Sequence, residues 1–164
     1  MAVVTRRAAD SPPYEAYAAI TGVFVGGLGL AGLAARALDR NPGCQTALDF
    51  AVLSAASFKA ARTLAGDEVT SFIREPFVKG KAHEGDEDPV ESGDFRQAIG
   101  ELVTCSRCGG TWAAAALATT QVLAPRFGRL LTWSLAAAGV NDWLQAGFAA
   151  LAHKANELDD PSGT

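Results

Sequence analysis

Cysteine is scarce in this chain, with three among 164 residues. That is too few, and too unevenly placed, for a disulfide scaffold. Basic excess is missing as well: the net charge is −4, which gives no electrostatic footprint for nucleic acid. Aromatic residues are sparse, at 8%. No short repeat is visible, which argues against a solenoid.

What is abundant is Gly and Ala in long uncharged runs. Ala16–Ala35 holds twenty residues without a charge. A run of that length crosses ~30 Å of hydrocarbon at ~1.5 Å per residue. It is longer than the core of a cleaved signal peptide, so an uncleaved anchor is expected. It is also unusually long for the core helix of a soluble Ala-rich bundle. Cys108–Pro125 is a second run, and Leu130–Ala152 a third, interrupted by Asn141 and Asp142. Ala47–Leu64 is the weakest candidate, because it carries Asp49, Lys59 and Arg62.

The expected fold is all-α: an integral membrane helical bundle of about four transmembrane helices. Spans are expected over 16–36, 47–65, 108–125 and 130–152 within one membrane domain, 15–152. Residues 1–14 are expected to be a disordered lead and 153–164 a polar tail. "DRNPGC", Asp39–Cys44, reads as a turn, and "PRFGR" as a short connection between the last two spans. A loop, 66–107, separates the second and third spans. In it, "HEGDEDPVESGD" reads as a mobile, solvated acidic stretch. Phe95–Thr104 reads as a short amphipathic helix, with Phe95, Ile99, Leu102 and Val103 at helical spacing and Asp94 with Gln97 as its N-cap pair.

Four spans put the N-terminus, the loop and the C-terminus on one side. That side carries ten of the fourteen Lys and Arg residues, so both termini are expected in the cytoplasm of the cell. If 47–65 lies on the membrane surface instead, three spans remain and the termini separate.

Cys105 and Cys108 form a lone Cys-x-x-Cys. Zinc normally takes four ligands, and a second pair is absent. His83 and His153 fall on the same expected side, so a Cys-Cys-His-His zinc site is open, as is a zinc shared between two subunits. A redox role is open too: the pair precedes a helix, whose dipole favours a thiolate, and Arg107 sits between the sulfurs. The plainest reading is a small-residue turn entering a membrane span.

Asp142, with Asn141 and Gln145, lies inside the last run. An ionisable group there should face the bundle interior and have a partner. Lys59 and Arg62, on one helix face, are the nearest cations if the second and fourth spans are neighbours. A structural polar lock is favoured over a solute path. Gly22 and Gly26 form a Gly-x-x-x-Gly pair suited to close helix packing, within the bundle or between copies. In "GDEVTSFIREPF", Val69, Phe72, Ile73 and Phe77 are expected on the membrane surface, with Arg74 meeting lipid phosphates or Glu75.

"SFKAARTLAGDEVTSFIREPF", followed by "GDFRQAIGELVTCSRCGGTWAAA", resembles the DUF1360 family of uncharacterised small bacterial integral membrane proteins, some labelled sporulation proteins. The similarity covers about Ala47–Ala118 and continues more weakly through "GVNDWLQAGFAAL". The family pattern falls on Lys59 and Arg62, Asp67 and Thr70, Arg74–Phe77 (with Pro76), Gly100–Leu102, and Cys105–Trp112. Ser106–Arg107 departs from the aromatic residue that members often carry between the cysteines. The resemblance implies a bacterial membrane location and marks residues for loop docking and helix packing, without supplying an activity.

The function expected is a non-enzymatic, multi-pass membrane protein that serves assembly or interaction, with a cytoplasmic Cys-x-x-Cys docking turn. Its partners would be the lipid bilayer and a second copy or another membrane protein, not nucleic acid. The alternatives are a thiol oxidoreductase or zinc protein using Cys105 and Cys108, and a small transporter centred on Asp142.

Overall fold

The computed structural model describes residues 12–41, 43, 45–81 and 85–159. Six helices dominate it: α1 (Tyr14–Ala37), α2 (Ala47–Gly66), the single turn α3 (Ser71–Arg74), α4 (Phe95–Thr104), α5 (Ser106–Leu123) and α6 (Pro125–Asp159). Two-residue strands, β1 (Val78–Lys79) and β2 (Asp88–Pro89), pair antiparallel between α3 and α4. The fold is therefore helical with one small ladder.

Each helix boundary has a local cause. α1 ends where Asp39 takes a positive φ of 52° and the Arg40 N–H reaches back to Ala35 O at 2.8 Å. α2 opens with a capping box: Thr46 Oγ1 accepts from the Asp49 N–H at 3.2 Å, and Asp49 accepts from the Thr46 N–H at 3.0 Å. α4 is capped by Asp94, which accepts from the Arg96 N–H at 2.9 Å, while Gln97 accepts from the Gly93 N–H at 2.9 Å. The expected connection "PRFGR" is instead the first turn of α6. Pro125 stands at its start, where a missing N–H costs nothing and the fixed φ suits a helix. The break between α5 and α6 is Ala124 alone.

Two ion pairs, a ring contact, a hydrogen bond and a close approach give the helix directions. Asp49 faces Arg129 at 3.9 Å and Lys59 meets Asp142 at 2.8 Å, so α2 and α6 run parallel. Phe24 packs edge-on against Trp112, centroids 5.0 Å apart, and Tyr17 donates to Glu101, so α1 runs with α5. Ala61 of α2 sits against Gly109 at the start of α5, so those two are antiparallel. The core is small: Ala56, Leu117 and Ala136, flanked by Val52, Leu53, Leu131 and Leu135. Alanine at the centre lets the three helices approach closely. At the α2–α6 crossing a Cβ on Gly139 would lie 3.1 Å from Ala55 O and 3.2 Å from Lys59 Cβ.

Several expectations change. The lead 1–14 falls mostly outside the described residues, but Pro13 is buried and α1 starts at Tyr14. The tail is helical through Asp159. Of the acidic stretch expected to be mobile, His83 and Glu84 lie outside the described residues, whereas Glu87, Asp88 and Pro89 are tied into the fold by an ion pair and the β ladder. Among the described residues α1 is the one helix long and apolar enough to cross a membrane, and only 6% of its most apolar stretch is buried.

Candidate functional site

The loop between α2 and α5 folds into a cap over one end of the helices. Its centre is Arg74, fully buried, at 0% exposure. Helix α2 ends in carbonyls with no partner further along the helix, and these carry the negative end of its dipole. Arg74 Nη1 donates to Leu64 O at 2.7 Å and to Thr70 Oγ1 at 2.8 Å. Nη1 and Nη2 both reach Asp67 O at 3.2 Å. Nε and Nη2 grip Glu87 Oε2 at 2.8 and 2.7 Å. Thr70 Oγ1 in turn lies 2.6 Å from Thr63 O. One guanidinium thus ties the end of α2, the turn 68–70 and the approach to β2. Arg74 therefore points inward to Glu87, rather than outward to lipid phosphates or to Glu75.

The cap meets α4 through Pro76 and Phe77. Arg96 Nε donates to Pro76 O at 2.6 Å, and the Val90 N–H to Phe77 O at 3.0 Å. A Cβ on Gly100 would lie 2.5 Å from Phe77 O and 3.3 Å from Pro89 Cβ, so only glycine allows α4 to seat here. Val69 and Phe72 remain exposed on the outer face of the cap.

Cys105 stands at the bend between α4 and α5. Its sulfur accepts from the Cys108 N–H at 3.2 Å, capping α5. The two Sγ atoms are brought into disulfide contact, with the Cα atoms 5.3 Å apart. The "CGG" segment expected as the turn is already the first turns of α5; the bend is Cys105 itself. Cys105 is half-buried and Cys108 exposed. Among the described residues no third His, Cys, Asp or Glu joins them as a metal-ligating group. His153 lies on α6, facing Glu157 at 3.3 Å, while His83 and Cys44 lie outside the described residues.

Beside the pair runs a chain of hydrogen bonds. Tyr17 of α1 donates to Glu101 of α4, which also accepts from Gln97 at 2.9 Å. Tyr17 and Glu101 are 84 positions apart, so no local pattern joins them. Glu101 was within reach only as the centre of the Gly-Glu-Leu triplet. Gly139 and Glu87 were likewise without a local signal.

Of the polar cluster, Lys59 reaches Asp142 at 2.8 Å and Asp67 at 3.9 Å. Arg62 stands over the Phe58 ring instead, 5.7 Å from its centroid, and Asn141 and Gln145 are exposed. Trp112 packs on Phe24 as described. Gly22 and Gly26 are exposed, and among the described residues a Cβ added at either would meet no atom within 4 Å beyond its own helix.

On the cap's surface, Asp94 is the group with a clear electrostatic signature. The Ser92 hydroxyl, donating at 2.6 Å, and then the Arg96 N–H hold its carboxyl below the usual carboxylate range.

Comparison with known proteins follows the same residues. The chain is 32% identical to the UPF0713 protein YngL of Bacillus subtilis over 103 residues, covering 60% of this chain and 76% of that one. It is 31% identical to the sporulation protein YjcA of the same organism, covering 60% of this chain and 95% of that one. No solved structure matches. The matched family is described as a protein of unknown function, and its match spans residues 52–148, from α2 through the cap and the cysteine pair into α6. The chain belongs to the DUF1360 family.

Proposed function

We propose that the chain is a multi-pass integral membrane protein of the bacterial cell membrane, and that it serves assembly or interaction. The observation that carries this is α1: an apolar helix, roughly 36 Å long, attached mainly by one edge and otherwise bare. Val23, Val25, Leu30 and Leu33 are each more than half exposed. In water such a face is a strong aggregation liability; in lipid it is at its lowest free energy. Leu48 and Phe50 of α2 and Leu144, Phe148 and Leu151 of α6 extend the same exposed apolar surface. The reading takes α2, α5 and the first part of α6 as further spans, with the cap and both termini in the cytoplasm. Spans 16–36, 47–65, 108–125 and 130–152 fit antiparallel alternation of the four long helices.

Within that reading, Lys59 and Asp142 form a polar lock between α2 and α6, since each charge has its counter-charge at hand. Gly22 and Gly26, bare in the single chain, form the contact face for a second copy or another membrane protein. The cap, with Asp67, Thr70, Arg74, Pro76 and Phe77 at its heart, is the cytoplasmic docking surface.

The test is fractionation. The full chain, expressed in a bacterium, should sediment with membranes and stay there through an alkaline carbonate wash. Recovery as a folded monomer in the supernatant, without detergent, ends this reading.

A further inference from the structure

We propose that Cys105 and Cys108 form a redox pair whose oxidant is a lipid-soluble quinone seated in the groove beside Cys105; this rests on the membrane reading above. The groove measures about 340 Å³ and is lined by Leu64, Ile73, Leu102, Trp112 and Ala113, with Cys105 in its wall. That is within the size range of small-molecule sites. No lining residue is charged. A flavin or nicotinamide nucleotide brings phosphates that call for cationic partners, and no Lys or Arg lines these walls. An uncharged ring with an apolar tail is matched to them, and Trp112 supplies an aromatic surface for it.

The pair is two-sided. Cys105 faces the apolar groove, while Cys108 borders a separate recess with Tyr17, Glu101 and Thr111. One sulfur is therefore placed for the membrane-dissolved oxidant and the other, exposed, for a dithiol reductant from the aqueous side. In the oxidising step the Cys105 thiolate adds to a quinone ring carbon. The Cys108 thiolate then attacks Cys105 Sγ; the S–S bond forms as the S–C bond breaks. Two electrons leave with the ring, and the two thiol protons end on the hydroquinone oxygens. Disulfide exchange with the aqueous dithiol restores the two thiols.

The experiment uses the full chain with Cys44→Ser, reduced, in phosphatidylethanolamine–phosphatidylglycerol vesicles, with decylubiquinone as probe. Alkylation mass spectrometry counts free Cys105 and Cys108, absorbance follows the quinone, and flotation of the same vesicles reports insertion. Both thiols should be lost, one quinone being reduced for each pair, and Cys108→Ser should abolish the reaction. Ala113→Trp, which fills the groove, should slow oxidation by the quinone about tenfold or more. It should leave oxidation by water-soluble diamide unchanged. Ala116→Phe serves if that variant loses its helicity. Groove-filled protein that reacts with the quinone at the unaltered rate overturns the proposal. A chain that floats but leaves the quinone oxidised overturns it alone; a chain that does not float removes the membrane reading with it.

Discussion

Arg74 shows how a single side chain can hold a cap together. Its guanidinium satisfies two main-chain carbonyls, a hydroxyl and a carboxylate without touching solvent. Arg74→Ala leaves Glu87 and the end of α2 uncompensated, and should cost about 3–5 kcal/mol. Thermal unfolding in detergent would read this; a loss below about 1 kcal/mol would show that the network is dispensable. Gly100→Ala forces a methyl into Phe77 O and should cost about 1–3 kcal/mol by pushing α4 off the ladder. The same unfolding measurement checks it. Asp94 gives the pH dependence. Its folded carboxyl is held below its unfolded value, so the stability it contributes is present above the unfolded pKa of about 3.9 and is lost as pH falls through the lowered folded one. Amide exchange at Arg96, corrected for its intrinsic rate, should show protection falling across that window. In Ser92→Ala the loss should begin at higher pH, because the hydroxyl that lowers the carboxyl most is gone.

At the scale of elements, the α2–α6 contact and the bare face of α1 make opposite predictions. Gly139→Leu inserts a side chain where a single Cβ already meets Ala55 O and Lys59 Cβ, so it should part the helices and separate Lys59 from Asp142. A destabilisation of about 2 kcal/mol or more is expected, since neither backbone can yield. Gly26→Leu points into open space and should leave the monomer's unfolding unchanged. If α1 is an assembly face, Gly26→Leu should still weaken self-association, measured by dilution in a bilayer. These elements were legible to different degrees. The uncharged run at Ala16–Ala35 and the spacing of Phe95, Ile99, Leu102 and Val103 both name a helix, because apolar periodicity is local. "PRFGR" misled, because Arg and Gly resemble a connection while Pro at a first helical position continues the chain as helix. The acidic stretch misled for another reason: Glu87 looks solvated until Arg74, thirteen positions earlier, is folded against it.

On the membrane reading, the whole molecule is a balance between two solvents. Its internal core rests on Ala56, Leu117 and Ala136, and its larger apolar surface faces outward. The residue sequence alone determined that the chain is helical and where its long apolar runs lie, because length, charge and periodicity act along the chain; its motifs, from Lys59 to Trp112, carried the family. It also marked the cysteine pair, since two thiols three positions apart are neighbours in any helix start. Only the tertiary structure decided that Arg74 is buried against Glu87, that Tyr17 meets Glu101 and that Lys59, not Arg62, meets Asp142. It also left open space, among the described residues, where a side chain at Gly22 or Gly26 would stand. Those pairings join residues up to 84 positions apart, and a contact at that separation is set by how helices cross and not by any pattern along either one.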